Sequence, residues 1–289
     1  MIPFVWDEPK TLRQAVAALD PDDPSVRPIA GGTALMLMMK TGVFAPTRLV
    51  SLAKIEPKYS EIKVNRSGAL KLGAMVSLSA LEQSADVAKA FPVITRALRT
   101  LSNVRVRNVA RVGGALAHGD PHMDLPPLLA ALGARAKVVG KSGTREITVE
   151  ELYTGYYETV LNRDELIAEV EVPPLRRARA VYMKCTSRSA DDWPALSVAL
   201  RCDVARGGVI ANPRVVVSAA TEKVTRLIEA EKILDGSAGD EETRARAADA
   251  AMAEVSFLSD SHGSAAYKKE LLRVYLSRAV REALGKLAP

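Results

Sequence analysis

In TLRQAVAALD, residues 11–20, apolar side chains recur at Leu12, Ala15, Val16 and Leu19, the spacing that lines one face of a helix. Thr11 and Gln14 stand three apart at its head and predict a capping box. Residues 20–24, rich in Asp and Pro, break the pattern. VRPIAGG then predicts a short strand closing in a glycine turn, with LMLMMKTG packing as a short helix after it. RLVSL and ALKLGAMVSL predict strands, and Ser79 with Glu82 predicts a second capping box heading one helix through ALEQSADVA. FPVITRALRTL gives another helix; an arginine-rich stretch, a second Gly-Gly pair, LPPLLAALGA and the strand RAKVVG follow. ELIAEVEVPP closes this half as an edge-like strand ending in two prolines.

Residues 173–179, PPLRRAR, interrupt the periodicity with proline and charge and predict a domain boundary. Beyond it, RAVYMKCTS, ALSVALRCDVA and ANPRVVVSAAT predict strands, the last two joined as a hairpin through Arg206, Gly207 and Gly208. KVTRLIEAEKIL, EETRARAADAAMAEV and YKKELLRVYLSRAVREAL predict three helices. Strands followed by helices make the second half an α+β domain.

A length of 289 residues exceeds what one core usually serves and favours two domains. With 48% apolar and 26% charged residues, each half has the composition of a folded domain rather than a disordered one. The start, MIPFVWDEPK, lacks a basic leader ahead of an apolar stretch, and the longest apolar run, residues 29–39, is too short to span a bilayer, so no membrane span and a cytoplasmic location are expected. Cys185 and Cys202 stand alone, too few for an all-cysteine cluster or zinc site, and are expected as buried free thiols. The net charge of +6, from 40 basic and 34 acidic residues, is spread along the chain. Neither Arg105, Arg107 and Arg111 nor Arg176, Arg177 and Arg179 is interleaved with aromatic residues, so no nucleic acid binding is expected and solvated faces or an acidic partner surface remain.

The chemistry centres on two Gly-Gly pairs, in RPIAGGTALM, residues 27–36, and ARVGGALAHGDPHMDLPP, residues 110–127. Glycine lets backbone N–H groups approach an anion closely, although a single pair is most often just a turn. Neither pair fits G-x-G-x-x-G or the Walker pattern. His118 and His122 lie four apart in HGDPHMD, but Gly119 and Pro121 prevent the continuous helix that would bring them onto one face, so no metal site is expected. They remain pocket-lining or surface histidines. No nucleophile with a base and no acid/base carboxylate pair has a supporting motif, so no catalytic side chain is assigned.

These segments resemble a known family. RPIAGGTALM is similar to RP-x-AGGT-x-L, and VRNVARVGGALAHGDPHMDLPPLLAAL to IRN-x-x-TIGGN-x-x-x-x-P-x-x-D-x-x-PxLLAL, both from the FAD-binding medium subunits of molybdenum hydroxylases, the xanthine dehydrogenase and carbon monoxide dehydrogenase family. The likeness extends through DELIAEVEVP, residues 164–173, and YMKCTSRSADDWPALSVA, residues 182–199, which is similar to K-x-x-x-R-x-x-DD. It implies an α+β fold: an FAD-binding domain of the PCMH type over residues 1–176, with subdomains of about 1–57 and 58–176, then a smaller domain of antiparallel strands and helices over 177–289. It also implies a first loop around the FAD diphosphate, made by Ala30, Gly31, Gly32, Thr33, Ala34, Leu35 and Met36, with backbone amides and the Thr33 hydroxyl as donors. Arg111, Val112, Gly113, Gly114 and Ala115 would form the second loop. Asp124 would accept from a ribose or adenine-side hydroxyl, Ile167 would pack on the cofactor, and Lys184 would sit near the flavin ring, where an ammonium stabilises negative charge.

The implied role is an electron-transfer oxidoreductase subunit. A large subunit would carry the molybdenum cofactor, and a small subunit with [2Fe–2S] clusters would pass electrons to FAD and on to NAD+, oxygen or a quinone. Three positions depart from the family: Ala34 for Asp or Ser, Arg111 for Thr, and Ala115 for Asn or Ser. Because main-chain donors dominate such a grip, retained but weaker FAD binding is expected, with Arg111 adding charge near the phosphates. Ala34 and Ala115 keep open an FAD-free scaffold subunit, and a self-contained flavin oxidase is a third reading. Tyr156, Tyr157 and Trp193 are flavin-stacking or core and interface residues.

Overall fold

A computed structural model describes residues 3–286. The first three strands, β1 (Val5–Asp7), β2 (Val26–Ile29) and β3 (Arg48–Ser51), form a parallel sheet in the order β1-β3-β2. Parallel pairing needs crossovers, supplied here by α1 (Leu12–Ala18) and α2 (Thr33–Lys40). Thr11 caps α1 by accepting from the Gln14 N–H, while the Gln14 side chain reaches back to the Lys10 N–H, a variant of the expected box.

A second sheet follows, antiparallel in the order β4-β5-β10-β6-β7, from β4 (Ile62–Val64), β5 (Leu70–Gly73), β6 (Arg135–Gly140), β7 (Gly143–Thr148) and β10 (Leu166–Val172). A small hairpin, β8 (Tyr153–Gly155) with β9 (Glu158–Thr159), lies apart. Between β5 and β6 the chain makes six short helices: α3 (Leu78–Gln83), α4 (Ala85–Ala90), α5 (Pro92–Arg99), α6 (Val104–Val109), α7 (Val112–Ala117) and α8 (Leu125–Ala131). Their apolar faces share one core with Leu70, Leu72, Ala136, Val138, Val170 and Val172 of the sheet.

Three expectations are corrected here. The strand expected at an edge is central, because Pro173 and Pro174 follow its last ladder residue and remove no hydrogen bond from it. Ser79 is no cap: Ser77 accepts from the Ala80 N–H, whereas Ser79 is buried within α3 with an unpartnered hydroxyl. The helix expected beyond it is two helices, since Ser84 leaves helical geometry and caps α4 through the Val87 N–H.

The last sheet runs β11 (Arg179–Cys185), β12 (Leu196–Val204), β13 (Ile210–Ser218) and β14 (Thr225–Arg226), all antiparallel. The expected hairpin turns at Gly207 and Gly208, both at positive φ where a side chain would be strained. Only Ile228–Leu234 of the expected next helix is helical, as α9; Thr225 and Arg226 instead extend the sheet. Two long helices, α10 (Glu241–Glu254) and α11 (Ala265–Ala283), complete the chain. One face of this sheet is covered by α9, α10 and α11. The other, with Ala199 and Val216, packs into the first half's core against α8. Both cysteines are free, Cys202 buried but Cys185 only half-buried, which corrects the expectation for Cys185. The architecture mixes helices with sheets, parallel in the first and antiparallel in the others, and no described helix is long and apolar enough to cross a membrane.

Candidate cofactor site

Strand β2 ends at Ile29, and the next residues turn into α2 through Gly32, whose φ of +70° places it in the left-handed region as the helix N-cap. The first bond closing α2 runs from the Met36 N–H to the Gly32 carbonyl at 2.8 Å. Upstream, the N–H groups of Gly31, Gly32, Thr33, Ala34 and Leu35 have no partner among the described residues. The last four are the free donors every helix start leaves, and the helix dipole adds partial positive charge there. Thr33 is exposed and Ala30 and Ala34 are half-buried, while Leu35 and Met36 face inward onto Ile29, Met39 and Leu49. The segment is therefore a three-residue turn plus the first turn of a helix, not a continuous loop.

The second glycine pair adjoins it. A Cβ on Gly31 would fall 2.0 Å from the Val109 carbonyl oxygen and 2.9 Å from Ala110 Cα, so the turn lies directly on the end of α6. A Cβ on Gly114 would meet Ala30 at 3.9 Å and nothing nearer. Contrary to the expected loop, Gly113 and Gly114 lie inside α7. The Val112 N–H donates to the Val76 carbonyl at 3.0 Å, and the Gly113 N–H to the Ala74 carbonyl at 2.8 Å. A Cβ on Gly113 would come within 2.7 Å of the Ala74 methyl, so this glycine serves close packing beneath the site. Val112 and Gly113 thus have no amide to offer an anion, and Ala115 bonds back to the Arg111 carbonyl.

What faces outward is the exposed Gly114, whose N–H has no partner among the described residues; Arg111, the N-cap of α7, is half-buried. The Arg111 guanidinium makes one long bond, from Nη1 to the Met75 carbonyl at 3.4 Å, and its Nε is buried without a partner. A buried orphan donor is costly unless something accepts from it. The two segments thus bring unsatisfied N–H donors together, with the cationic Arg111 at the head of the second.

Asp124 lies just before α8 and is buried. Its carboxylate accepts from the Tyr182 hydroxyl at 2.6 Å and pairs with Lys184 Nζ at 3.3 Å. Lys184 also donates to the carbonyls of Thr100 at 2.7 Å and Asp192 at 3.1 Å, so three acceptors meet its three protons. Burial pushes the Asp124 carboxyl up from its ordinary value, with Lys184 and Tyr182 pulling the other way. Burial and the Asp124 charge push the Tyr182 phenol well up. Tyr182 lies outside the K-x-x-x-R-x-x-DD pattern, although it precedes Lys184 by two residues in a strand and so shares its face. Ile167 is buried in the main core, beside a register shift between Ile167 and Glu169 in the ladder with β6.

The histidines correct the surface reading. His118 is half-buried against Tyr157, ring centroids 5.0 Å apart, and burial lowers its pKa. His122 is buried between Asp120 and Asp260 and stacks on Trp193 at 5.8 Å. Tyr156, Tyr157 and Trp193 stay substantially exposed. The described residues contain no metal-competent cluster. A separate cleft of about 840 Å³ lies between α1 and the open face of the five-stranded sheet, lined in part by Arg13, Lys58, Lys71 and Lys137, and includes none of the glycine-seam residues.

The fold and the donor seam define a class: a protein of mixed helices and sheets that offers backbone donors to an anion. Residues 2–175 match the family described as the FAD binding domain in molybdopterin dehydrogenase, and residues 181–283 match the CO dehydrogenase flavoprotein C-terminal domain. The chain belongs to this family of molybdenum hydroxylase medium subunits, so it is an oxidoreductase subunit and FAD is its cofactor. It is 30% identical to the nicotine 6-hydroxylase medium subunit of Paenarthrobacter nicotinovorans, covering 96% of each chain. It is 28% identical to the glyceraldehyde dehydrogenase medium chain of Sulfolobus acidocaldarius, over 96% of this chain and 98% of that one. Its fold superposes on a chain of CO dehydrogenase from Oligotropha carboxidovorans with a TM-score of 0.93 and 30% identity, covering 99% of this chain and 100% of the other. The orphaned Arg111 Nε and the free amides from Gly31 to Leu35 fit a diphosphate: they are donors in search of an anion.

Proposed function

We propose that this chain carries FAD as the electron-transferring medium subunit of a heteromeric molybdenum hydroxylase, between a large molybdenum-cofactor subunit and a small [2Fe–2S] subunit, in the cytoplasm. The observation that carries the reading is the contact of the two glycine segments, Gly31 on Val109 and Gly114 beside Ala30, with unpartnered donors along the seam. When bound, FAD supplies the redox chemistry, taking up electrons from the iron–sulfur partner and releasing them to NAD+, oxygen or a quinone.

The chain's own residues bind, orient and tune. In this reading the amides of Gly31, Gly32, Thr33, Ala34 and Leu35 hold the diphosphate from one side, and the Gly114 amide and Arg111 from the other. The missing side-chain donors at Ala34 and Ala115 are offset by the Arg111 charge, which is more persistent than a hydroxyl dipole. Asp124 accepts from a cofactor hydroxyl with the carboxylate capacity that Tyr182 and Lys184 leave free. Lys184, its protons already engaged, acts on the flavin ring through its field rather than through a direct bond. Ile167 supplies an apolar wall. Residues 1–176 serve as the FAD-binding domain, with FAD between its subdomains of about 1–57 and 58–176, and 177–289 as the smaller C-terminal domain.

Purified with its neighbouring subunits, the protein is expected to carry about one FAD per chain, read from the flavin absorbance spectrum, and to be reduced by the complex's substrate only when the iron–sulfur subunit is present. A colourless complex, or reduction of the isolated chain by a small substrate, contradicts the reading.

A further inference from the structure

We propose that His122 is a positioning residue for the cofactor: as an imidazolium held between Asp120 and Asp260, it fastens the C-terminal domain to the segment that carries Asp124. The inference rests on the proposed placement of FAD at the glycine seam and Asp124.

The geometry requires the charge. His122 Nδ1 lies 2.9 Å from Asp120 Oδ1, and Nε2 lies 3.0 Å from Asp260 Oδ2. A neutral ring has one N–H and would set a lone pair against one carboxylate; only the doubly protonated ring donates to both. Lys268, fully buried in α11, pairs with the same Asp260 oxygen at 2.5 Å and donates to the Ala219 carbonyl at 3.0 Å. Two carboxylates and two cations thus balance across the seam between domains.

The connection closes on itself. The Ala219 N–H donates to the Pro121 carbonyl at 2.9 Å, and the Ser218 hydroxyl to the same carbonyl at 2.5 Å. Consecutive residues Pro121 and His122 are therefore both tethered to Lys268, one through Ala219 and the other through Asp260. Ala219 keeps a φ of +67°, an unfavourable value for a side-chain-bearing residue that these bonds sustain. Two residues on, Asp124 is the N-cap of α8; four residues back lies His118, the C-cap of α7 with its glycines. Without the tether, the segment between them loses its fixed end.

The other groups facing the ring are Tyr157, whose hydroxyl donates to Asp120 Oδ2 at 3.1 Å, His262 with its centroid 5.2 Å away, and Trp193. Asp192, His118 and Tyr156 lie around them. Burial lowers the His122 pKa, but the bonds to Asp120 and Asp260 outweigh it and the net shift is upward. Asp260 is held down to about 2, against the effect of burial, by Lys268 and His122. Burial and the His122 charge push His262 the other way, downward. For a raised histidine, the stabilisation is complete below the unfolded value of roughly 6.5 and is lost as pH rises through the folded one.

The test titrates FAD dissociation from the full chain against pH by flavin fluorescence, for the wild type and His122→Asn, with ¹⁵N NMR of the histidine rings. The wild type is expected to hold FAD evenly at low pH and about tenfold more weakly once His122 loses its proton; His122→Asn binds at the weaker level throughout. A wild-type profile without this step, a variant that keeps the step, or a variant that melts earlier with unchanged FAD affinity overturns the proposal. Should the wild type take up no FAD at any pH, the cofactor placement has failed instead. The NMR titration then decides the His122 charge: a ring with one proton below the unfolded value of roughly 6.5 overturns it.

Discussion

Gly31→Val is expected to weaken FAD binding at least a hundredfold, the largest effect of any single substitution at the seam. The Cβ of any residue there would stand 2.0 Å from the Val109 oxygen and 2.7 Å from its carbonyl carbon, both backbone atoms that cannot rotate aside. The turn must lift off α6, parting the donors of the two segments. Overpacking at such a contact costs about 1–3 kcal/mol or more, equivalent to roughly five- to 150-fold in affinity for alanine and more for the bulkier valine. Gly114→Leu separates obstruction from misfolding, because its Cβ meets only Ala30 at an ordinary distance. It is expected to weaken FAD roughly tenfold while the urea midpoint holds or rises slightly, glycine being a poor helix former. FAD titration beside urea unfolding of the apo chain reads both effects. Full-strength binding by Gly31→Val would remove the seam from the account.

Lys184→Met is expected to cost about 3–5 kcal/mol of stability, because it leaves the Asp124 carboxylate buried without its cation and the Thr100 and Asp192 carbonyls without a donor. Much of that loss belongs to the stranded charge rather than to the pair itself. The double variant Lys184→Met with Asp124→Leu is therefore expected to be more stable than the single one. A double-mutant cycle by urea unfolding checks this; a loss of less than about 1 kcal/mol for Lys184→Met would mean that the pair is solvated. FAD affinity falls in both variants if Asp124 and Lys184 serve the cofactor as proposed.

The elements legible in the sequence are those with a repeating apolar face or a strong punctuation signal: α1 with its Thr11 cap, the Gly207-Gly208 hairpin, α10 and α11. Short helices with little periodicity were hidden. In α6 the buried side is made by contact with α3 rather than by a stripe of its own, and none of its residues is fully buried. The order of the second sheet was hidden too, since pairing of β10 between β5 and β6 joins strands far apart in sequence. At the site, the motifs located the right segments but not their division of labour. Gly113 and Gly114 look alike in sequence, yet one packs against Ala74 and the other faces Ala30. The burial of His122 is illegible for a related reason: its second partner, Asp260, is 138 residues away.

A crystal structure of the chain with FAD tests the central claim most directly. The diphosphate oxygens are expected within roughly 2.7–3.2 Å of the backbone nitrogens of Gly32, Thr33 and Gly114, with Arg111 Nε no longer without an acceptor. A diphosphate bound elsewhere, such as in the lysine-lined cleft between α1 and the sheet, with those amides still unpartnered, would contradict it.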